Sequence, residues 1–318
     1  VRFDRRLALI EIGTNTTKLL VADTSPRGYR VRRVERRTTR IGRGIGGGGR
    51  IGTREIAASV TALESLGRTV RAERCDGVFA FSTFALRRAS NAKTVARRLE
   101  KTIGEPIHSL TGRDEARFAY LAARSKLPLA RPVTVLADIG GGSTELVVAR
   151  RRRIVVERSI PLGALHLTER FIHSDPVDPA EFDALLRHVA RVVARTLRSA
   201  GVDRTSPRDI DLAASGGAIG ALSWVIASRG GARAAEKRLP PRIRLGDAAG
   251  FLDYCLSLPL DKRRKIRGLH PDRADIVCAG LAIAIRIMRG LRKRALFTSR
   301  GGLREGVLLH LIQNGYRW

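Results

Sequence analysis

The chain of 318 residues has little cysteine, only three residues, and few aromatic side chains, 5% in all. Cys75, Cys255 and Cys278 lie far apart and are odd in number, so they form neither a CxxC chelating pair nor a disulfide framework. A reducing compartment, the cytoplasm, is therefore expected. The scarcity of aromatics argues against the stacking platforms that hold single-stranded nucleic acid. No apolar run reaches the length of a membrane span; the longest, around 276–287, is short and interrupted by arginine. A strand-like run begins directly after Val1-Arg2-Phe3-Asp4, which predicts no signal peptide. The histidines, His166, His173 and His188 among them, show no metal-ligand spacing. Acidic residues are also few beside basic ones, 30 against 60, for a net charge of +30. Such a field attracts polyanions, whether nucleic acid, an anionic membrane or polyphosphate. The same excess also arises when arginine is spread over a whole surface, so charge supports an anionic partner without naming it.

What is present is a globular composition, 43% hydrophobic, in a chain long enough for two domains. Its most informative feature is an internal repeat. Residues 11–22 (EIGTNTTKLLVA) align without gaps to 138–149 (DIGGGSTELVVA). Each copy follows a short apolar run. Each reads as a strand, an acidic residue, a tight turn of Gly, Ser, Thr or Asn, and a second strand, which is a β-hairpin. Small residues at such a turn let backbone N–H groups and hydroxyls point outward into a concavity that suits phosphate. Two such hairpins far apart in the chain predict two similar domains facing each other across a cleft. The plainer alternative, two unrelated glycine turns, leaves unexplained the acid that ends the first strand in both copies.

Apolar patterning predicts α/β halves, with strands at 6–11, 17–23, 29–37, 77–82 and 106–110, then at 133–138, 145–150, 154–160, 210–215 and 295–299. Helices are expected from Thr53, read as an N-cap, after Asn91, from Asp114 to about Ala123, from the capping sequence Asp178-Pro179-Ala180-Glu181 to about 199, over 272–289, and from Leu303. Pro128 and Pro132 place the domain boundary at 1–128 and 129–318, with the last helix able to pack back on the first domain.

The order of motifs resembles the exopolyphosphatase / guanosine pentaphosphate phosphatase (Ppx/GppA) family, of the actin and sugar-kinase superfamily. The matching segments are 11–16 (EIGTNT), 82–91 (STFALRRASN), 111–116 (TGRDEA), 138–145 (DIGGGSTE), 215–217 (SGG), 273–280 (RADIVCAG) and 299–306 (SRGGLREG). The resemblance implies two actin-like (ribonuclease H-like) α/β domains and hydrolysis of the terminal phosphate of inorganic polyphosphate or guanosine pentaphosphate. A catalytically weak polyphosphate or (p)ppGpp sensor is the alternative. It implies Mg²⁺ or Mn²⁺ as cofactor and, because members dimerise, raises a homodimer; nucleic acid and membrane are not expected partners.

From the residues themselves, Gly140, Gly141 and Gly142 allow close backbone approach to a phosphate, Ser143 and Thr144 offer hydroxyls, and Asp138 is a hard oxygen ligand suited to Mg²⁺. In the first copy Gly13, Thr14, Asn15 and Thr16 keep the same loop character. Glu11 stands where the family has Asp near the metal, which leaves metal placement at Glu11 and Asp138 open; Lys18 reads as decoration of the second strand. The resemblance makes Glu115 the base that orients the attacking water, Glu145 an acid near the reacting phosphate, and Arg87 a phosphate-binding guanidinium. Asp114 and Glu115 also suit a helix N-terminus with no chemistry at all. Asn91 reads equally as a helix cap. Ser215, Gly216 and Gly217 follow a strand and are expected to line the site. Arg273 with Asp275, and Arg304 with Glu305, read as architectural. The GxGxxG spacing of Gly42, Gly44 and Gly47 is not followed at once by a helix, so a mobile loop is expected rather than a dinucleotide site. Arg150–Arg153 reads as a solvated hairpin turn.

Overall fold

The computed structural model describes residues 3–46, 49–228, 242–299 and 301–318. Gly47, Gly48 and Arg300, within two of the glycine-rich motifs, lie outside the described residues. The chain divides into two compact units, one of Val1–Ala122 with Leu303–Trp318 and one of Ala123–Gly302.

Unit 1 is built on a sheet of β1 (Arg5–Ile12), β2 (Thr16–Ser25), β3 (Gly28–Thr38), β4 (Gly77–Ser82) and β5 (Ile107–Ser109) in the order β3-β2-β1-β4-β5. The first three strands are antiparallel neighbours, and β4 and β5 continue in parallel. The run Leu7-Ala8-Leu9-Ile10 is continuous rather than alternating because both faces of this sheet are covered. Leu7 and Leu9 pack with Leu20, Phe81 and the apolar residues Leu303, Val307, Leu308 and Leu311 of helix Leu303–Gln313. Ala8, Ile10 and Ile12 point to the other face, against Leu63, Leu66 and Val70 of helix Thr53–Ala72 and Val95 and Leu99 of helix Ala92–Ile103. At about 1.5–3 kcal/mol per fully buried large aliphatic side chain, these two layers fix β1 as the central support of its turn.

One expectation about caps is corrected and another is refined. Thr53 is the first helical residue and Gly52 the N-cap, with no side-chain hydrogen bond. Asn91 does stand at the N-cap of helix Ala92–Ile103, but its side chain makes no capping bond; its amide accepts from Ile51 N (2.9 Å) and donates to Ile51 O (3.0 Å), clamping a passing backbone segment as a strand would. The segment from Thr39 to Ile45 is not a loose loop: Ile41 and Ile45 are fully buried in the core of unit 1.

Unit 2 repeats the plan. β6 (Val133–Ile139), β7 (Thr144–Arg150), β8 (Arg153–Ile160), β9 (Ile210–Gly216) and β11 (Ala295–Thr298) follow the order β8-β7-β6-β9-β11, and β10 (Arg242–Arg244) adds an antiparallel edge. Helix Pro179–Ser199 starts as its capping sequence predicts, with Asp178 accepting from Ala180 N and Glu181 N. Glu181 reaches past the cap to His173 N and to Ser174, whose hydroxyl in turn accepts from Asp178 N. Helix Val277–Gly290 is buried nearly all round, as its composition implies. Helices Ala164–Phe171, Gly217–Ser228, Leu245–Leu256 and Leu260–Arg263 were not expected. The first and last are short, and Gly217–Ser228 is so nearly apolar throughout that it carries no period to read. All three cysteines are free, and burial pushes the Cys75 thiol up to about 11. Among the described residues no helix is long and apolar enough to cross a membrane.

Two stability predictions arise here. Arg151 and Arg152, between β7 and β8, have φ of 46° and 68°, the left-handed pair that a two-residue hairpin needs and that Asn-Gly supplies without strain. The double substitution Arg151→Asn, Arg152→Gly is expected to raise stability by about 1 kcal/mol, read as a higher urea midpoint. Asp23, buried on β2, receives Arg6 Nε at 2.8 Å and Arg30 Nη2 at 3.2 Å. Burial alone would pull its carboxyl up, but the bonds from Arg6 and Arg30 and the charge of Arg32 outweigh it and hold the group below the usual carboxylate range. A depressed carboxyl contributes stability that is complete above its unfolded pKa of about 3.9 and is lost as pH falls through the folded value. Asp23→Asn is expected to lower stability at pH 7 by about 2 kcal/mol and to flatten the acid limb of the unfolding profile.

Candidate functional site

The two repeat hairpins carry the same turn. In unit 1 Gly13 N donates to Thr16 O at 3.2 Å, and in unit 2 Gly140 N donates to Ser143 O at 2.9 Å. In each, a second segment ties back the turn's carbonyls. Gly42 N and Arg40 N donate to Thr14 O (2.9 Å) and Asn15 O (3.1 Å); Ala164 N and Leu165 N, opening helix Ala164–Phe171, donate to Gly140 O and Gly141 O, each at 2.9 Å. With their oxygens held on one side, the turns present their N–H groups on the other. Those of Thr14, Asn15, Gly141, Gly142 and Ser143 donate to no protein acceptor among the described residues, which is the electrostatics of an anion cradle. The Asn15 amide adds to this: its Nδ2 reaches Thr16 Oγ1 at 3.3 Å while its buried Oδ1 has no partner.

Gly163 was not singled out from sequence, yet it lets this happen in unit 2. A Cβ there would overlap Gly141 O and the carbonyl carbon of Gly142. Gly42 has the equivalent place in unit 1, where a Cβ would overlap the Thr14 side chain.

The hydroxyls of the second turn have other work than the one expected of them. Thr144 is fully buried and its Oγ1 donates to Leu162 O at 2.6 Å, so it anchors β7 instead of meeting phosphate. Ser143 Oγ and Ser159 Oγ both donate to Glu145 Oε1 at 2.7 Å, and Ser215 Oγ donates to Asp138 Oδ1 at 2.7 Å. Ser143 and Ser215 therefore orient carboxylates. Register explains the choice: Asp138 lies opposite both Glu145 on β7 and Ser215 on β9, and Glu145 lies opposite Ser159 on β8. Gly216 ends β9 with φ of 102°, and a Cβ would overlap Ile139 O, so only glycine brings the chain this close to β6. Gly217 then opens helix Gly217–Ser228, and the Arg273 guanidinium packs on its Cα.

In unit 1, Glu115 and Asp114 separate into two roles. Asp114 Oδ2 accepts from Thr111 N (3.0 Å) and Thr111 Oγ1 (2.6 Å) while Thr111 Oγ1 accepts from Asp114 N, a reciprocal cap for helix Gly112–Lys126. Glu115 is buried, 5% exposed, and its Oε1 accepts from Arg87 Nη1 at 2.5 Å. Arg87 comes from the short helix Phe84–Arg88 and also donates from Nη1 to Leu110 O, which locks it at the head of Glu115's helix. Its Nε and Nη2 make no protein hydrogen bond among the described residues, and its Cζ lies over the Phe84 ring, 5.9 Å from the centroid.

The expected metal ligands behave differently in the two hairpins. Glu11 Oε1 receives Lys18 Nζ at 2.6 Å, and Glu11 Oε2 receives Arg304 Nε at 3.4 Å. Each oxygen thus already faces a cation, and Glu11 does not fit as a metal ligand. Arg304 pairs with Glu11 rather than only bracing its own helix, and Lys18 is not decoration. Asp138 and Glu145 fit in donor chemistry: two carboxylates directly opposite on neighbouring strands, steadied by serine hydroxyls. Among the described residues no group of three or more acidic, His or Cys side chains forms a closed cage. An open pair is what Mg²⁺ uses when phosphate oxygens and water complete its shell.

Turns, acids and buried glutamate recur in a known order, and the family model described as the Ppx/GppA phosphatase family matches residues 21–314. The chain belongs to the Ppx/GppA phosphatase family. It is therefore a member of a family of hydrolases, and its relatives bear this out. It is 28% identical to "Exopolyphosphatase 2" of Mycobacterium tuberculosis over 96% of this chain and 98% of that protein. It is 30% identical to an uncharacterised Streptomyces coelicolor protein, over 98% of this chain and 92% of that one. The fold matches that of an exopolyphosphatase from Cytophaga hutchinsonii with a TM-score of 0.87 at 22% identity, over 98% of each chain. It also matches a Ppx/GppA family member from Aquifex aeolicus with a TM-score of 0.77 at 24% identity, over 99% of each. Both units carry the actin-like strand order, so the expected fold class stands.

What the Ppx/GppA motifs did not disclose is the supporting set: Gly163, Ser159, Leu162, Lys18 and Arg304. Gly163 and Ser159 follow β7 at a distance set by the length of the next hairpin. A pairing register counted back from the β7–β8 turn would have placed Arg158 beside Glu145; a shift between Val148 and Ala149 moves the register by one residue and brings Ser159 there instead.

Proposed function

We propose that the chain is an exopolyphosphatase, releasing orthophosphate from the end of inorganic polyphosphate, with guanosine pentaphosphate as a second substrate of the same chemistry. The observation that carries the reading is the turn built twice with its carbonyls drawn back. A linear polyanion offers repeated phosphates to repeated cradles, and the net charge of +30 favours its capture.

In this reading the N–H groups of Thr14 and Asn15, and of Gly141, Gly142 and Ser143, bind phosphate oxygens. Arg87, through its outer guanidinium nitrogens, offsets their charge. Glu115 accepts a proton from a water molecule whose oxygen attacks the terminal phosphorus. The P–O bond to the penultimate phosphate breaks in line, and the shortened chain leaves as the anion. Fixed donors stabilise the charge that gathers on the transferring group without reorganising. Asp138 with Glu145 would hold a Mg²⁺ or Mn²⁺ ion, which when bound supplies charge neutralisation at the phosphates. The chemistry is that of a hydrolase acting on a phosphoanhydride.

Orthophosphate release from polyphosphate and from guanosine pentaphosphate, with and without Mg²⁺, tests the reading. Steady release from polyphosphate is expected. Tight binding of polyphosphate with no release from either substrate would replace the enzyme by a polyphosphate sensor.

A further inference from the structure

We propose that Glu11 is a positioning residue for Lys18 and Arg304 and takes no divalent ion, so that the first turn draws its positive charge from side chains alone. The inference rests on the phosphatase reading for the purpose of the turn, but not for the arrangement of charges. The internal repeat provides the control within the molecule. Glu11 and Asp138 end the first strand of equivalent hairpins, yet the residue directly opposite Glu11 is Lys18, whereas the residue directly opposite Asp138 is Glu145. Directly opposed side chains on antiparallel strands are close enough to decide each other's charge state and partners. The first hairpin therefore sets an acid against a base, and the second sets an acid against an acid.

The distances support this. Lys18 Nζ lies 2.6 Å from Glu11 Oε1, and Arg304 Nε lies 3.4 Å from Oε2. Arg304 is fixed from the far side by donating Nη1 to Leu19 O at 2.7 Å, so it cannot withdraw without losing a backbone contact on β2. The Glu11 side chain is 8% exposed and that of Arg304 12% exposed, so water screens little of the interaction. A divalent ion at Glu11 would have to displace both cations and then sit beside them. The extra methylene of glutamate, relative to the aspartate expected here, is what lets one carboxylate reach a cross-strand lysine and an arginine from helix Leu303–Gln313 together.

The test uses the full chain and Mn²⁺ alone, with free Mn²⁺ read by electron paramagnetic resonance. Glu11→Gln is expected to leave the Mn²⁺ dissociation constant within about twofold of wild type, while Asp138→Asn weakens it about tenfold or more. Equal behaviour of wild type and Glu11→Gln, including no uptake by either, agrees with the proposal. A loss of about tenfold or more on Glu11→Gln overturns it. Because Glu11→Gln leaves two cations uncompensated, the double variant Glu11→Gln, Lys18→Met serves if the single one does not fold. A second readout comes from unfolding in EDTA. Glu11 and Lys18 should couple by about tenfold in the unfolding constant across a double-mutant cycle, and additivity would refute the positioning role. A wild type that behaves as stated but releases no phosphate from polyphosphate would sink the phosphatase reading and leave this one standing.

Discussion

Replacing Glu115 by glutamine is expected to lower the rate of phosphate release from polyphosphate by about 10³-fold while the protein still binds the polymer. Glutamine keeps the shape of the side chain and its oxygen can still accept from Arg87, so the local packing survives. What it removes is the ability to take a proton from water. Binding should persist because the cradles are made of backbone N–H groups in the turns at 13–16 and 140–143 and not of the Glu115 side chain. A loss confined to KM, with turnover intact, would move Glu115 from chemistry to substrate binding. Asp114→Asn provides the contrast on the same turn of helix. Asp114 caps that helix through Thr111, so its loss should appear in stability, about 1 kcal/mol, far more than in rate.

Gly163→Ala is expected to cost activity about 10²-fold or more and stability about 1–3 kcal/mol, although Gly163 makes no proposed contact with substrate. Its Cβ would occupy the space of Gly141 O and the Gly142 carbonyl carbon, so the turn has to move off the N-terminus of helix Ala164–Phe171. That movement releases the carbonyls of Gly140 and Gly141 and turns the N–H groups away from the position that phosphate requires. Gly250→Ala is the matched control. It lies within helix Leu245–Leu256 with open space around it, and alanine there should leave activity unchanged and raise stability by up to about 1 kcal/mol. Enzyme assays and urea midpoints on the two variants separate the effect of the site from that of a generic glycine substitution. If Gly163→Ala keeps full activity, the turn at 140–143 is not the cradle described.

The sequence made the two hairpins legible because their signals are local: apolar runs, an acid and small residues, repeated at one spacing. The same holds for β1 to β5, for the cap at Asp178 and for the assignment of Glu115 to a helix start. The carboxylates' partners were not legible in the same way. Whether Ser143 serves a phosphate or Glu145 depends on a side-chain rotamer, and Ser159 reaches Glu145 only through the register of a neighbouring hairpin. Lys18 looked incidental because its significance lies in the residue across from it, and Arg304 meets Glu11 from the opposite end of the chain. Asn91 illustrates the limit of local signals: it stands where a cap belongs, yet tertiary contact with Ile51 claims its amide. Family order in the motifs named the acids; packing and pairing determined what each acid touches.

The most direct test of the central claim is the size distribution of polyphosphate after incubation with the full chain and Mg²⁺, resolved by electrophoresis alongside an orthophosphate assay. The account predicts that orthophosphate appears from the earliest times, that the remaining chains shorten from their ends, and that Glu115→Gln slows both by about 10³-fold. Fragments of intermediate length without early orthophosphate, or chains left at full length by the wild type, would contradict it.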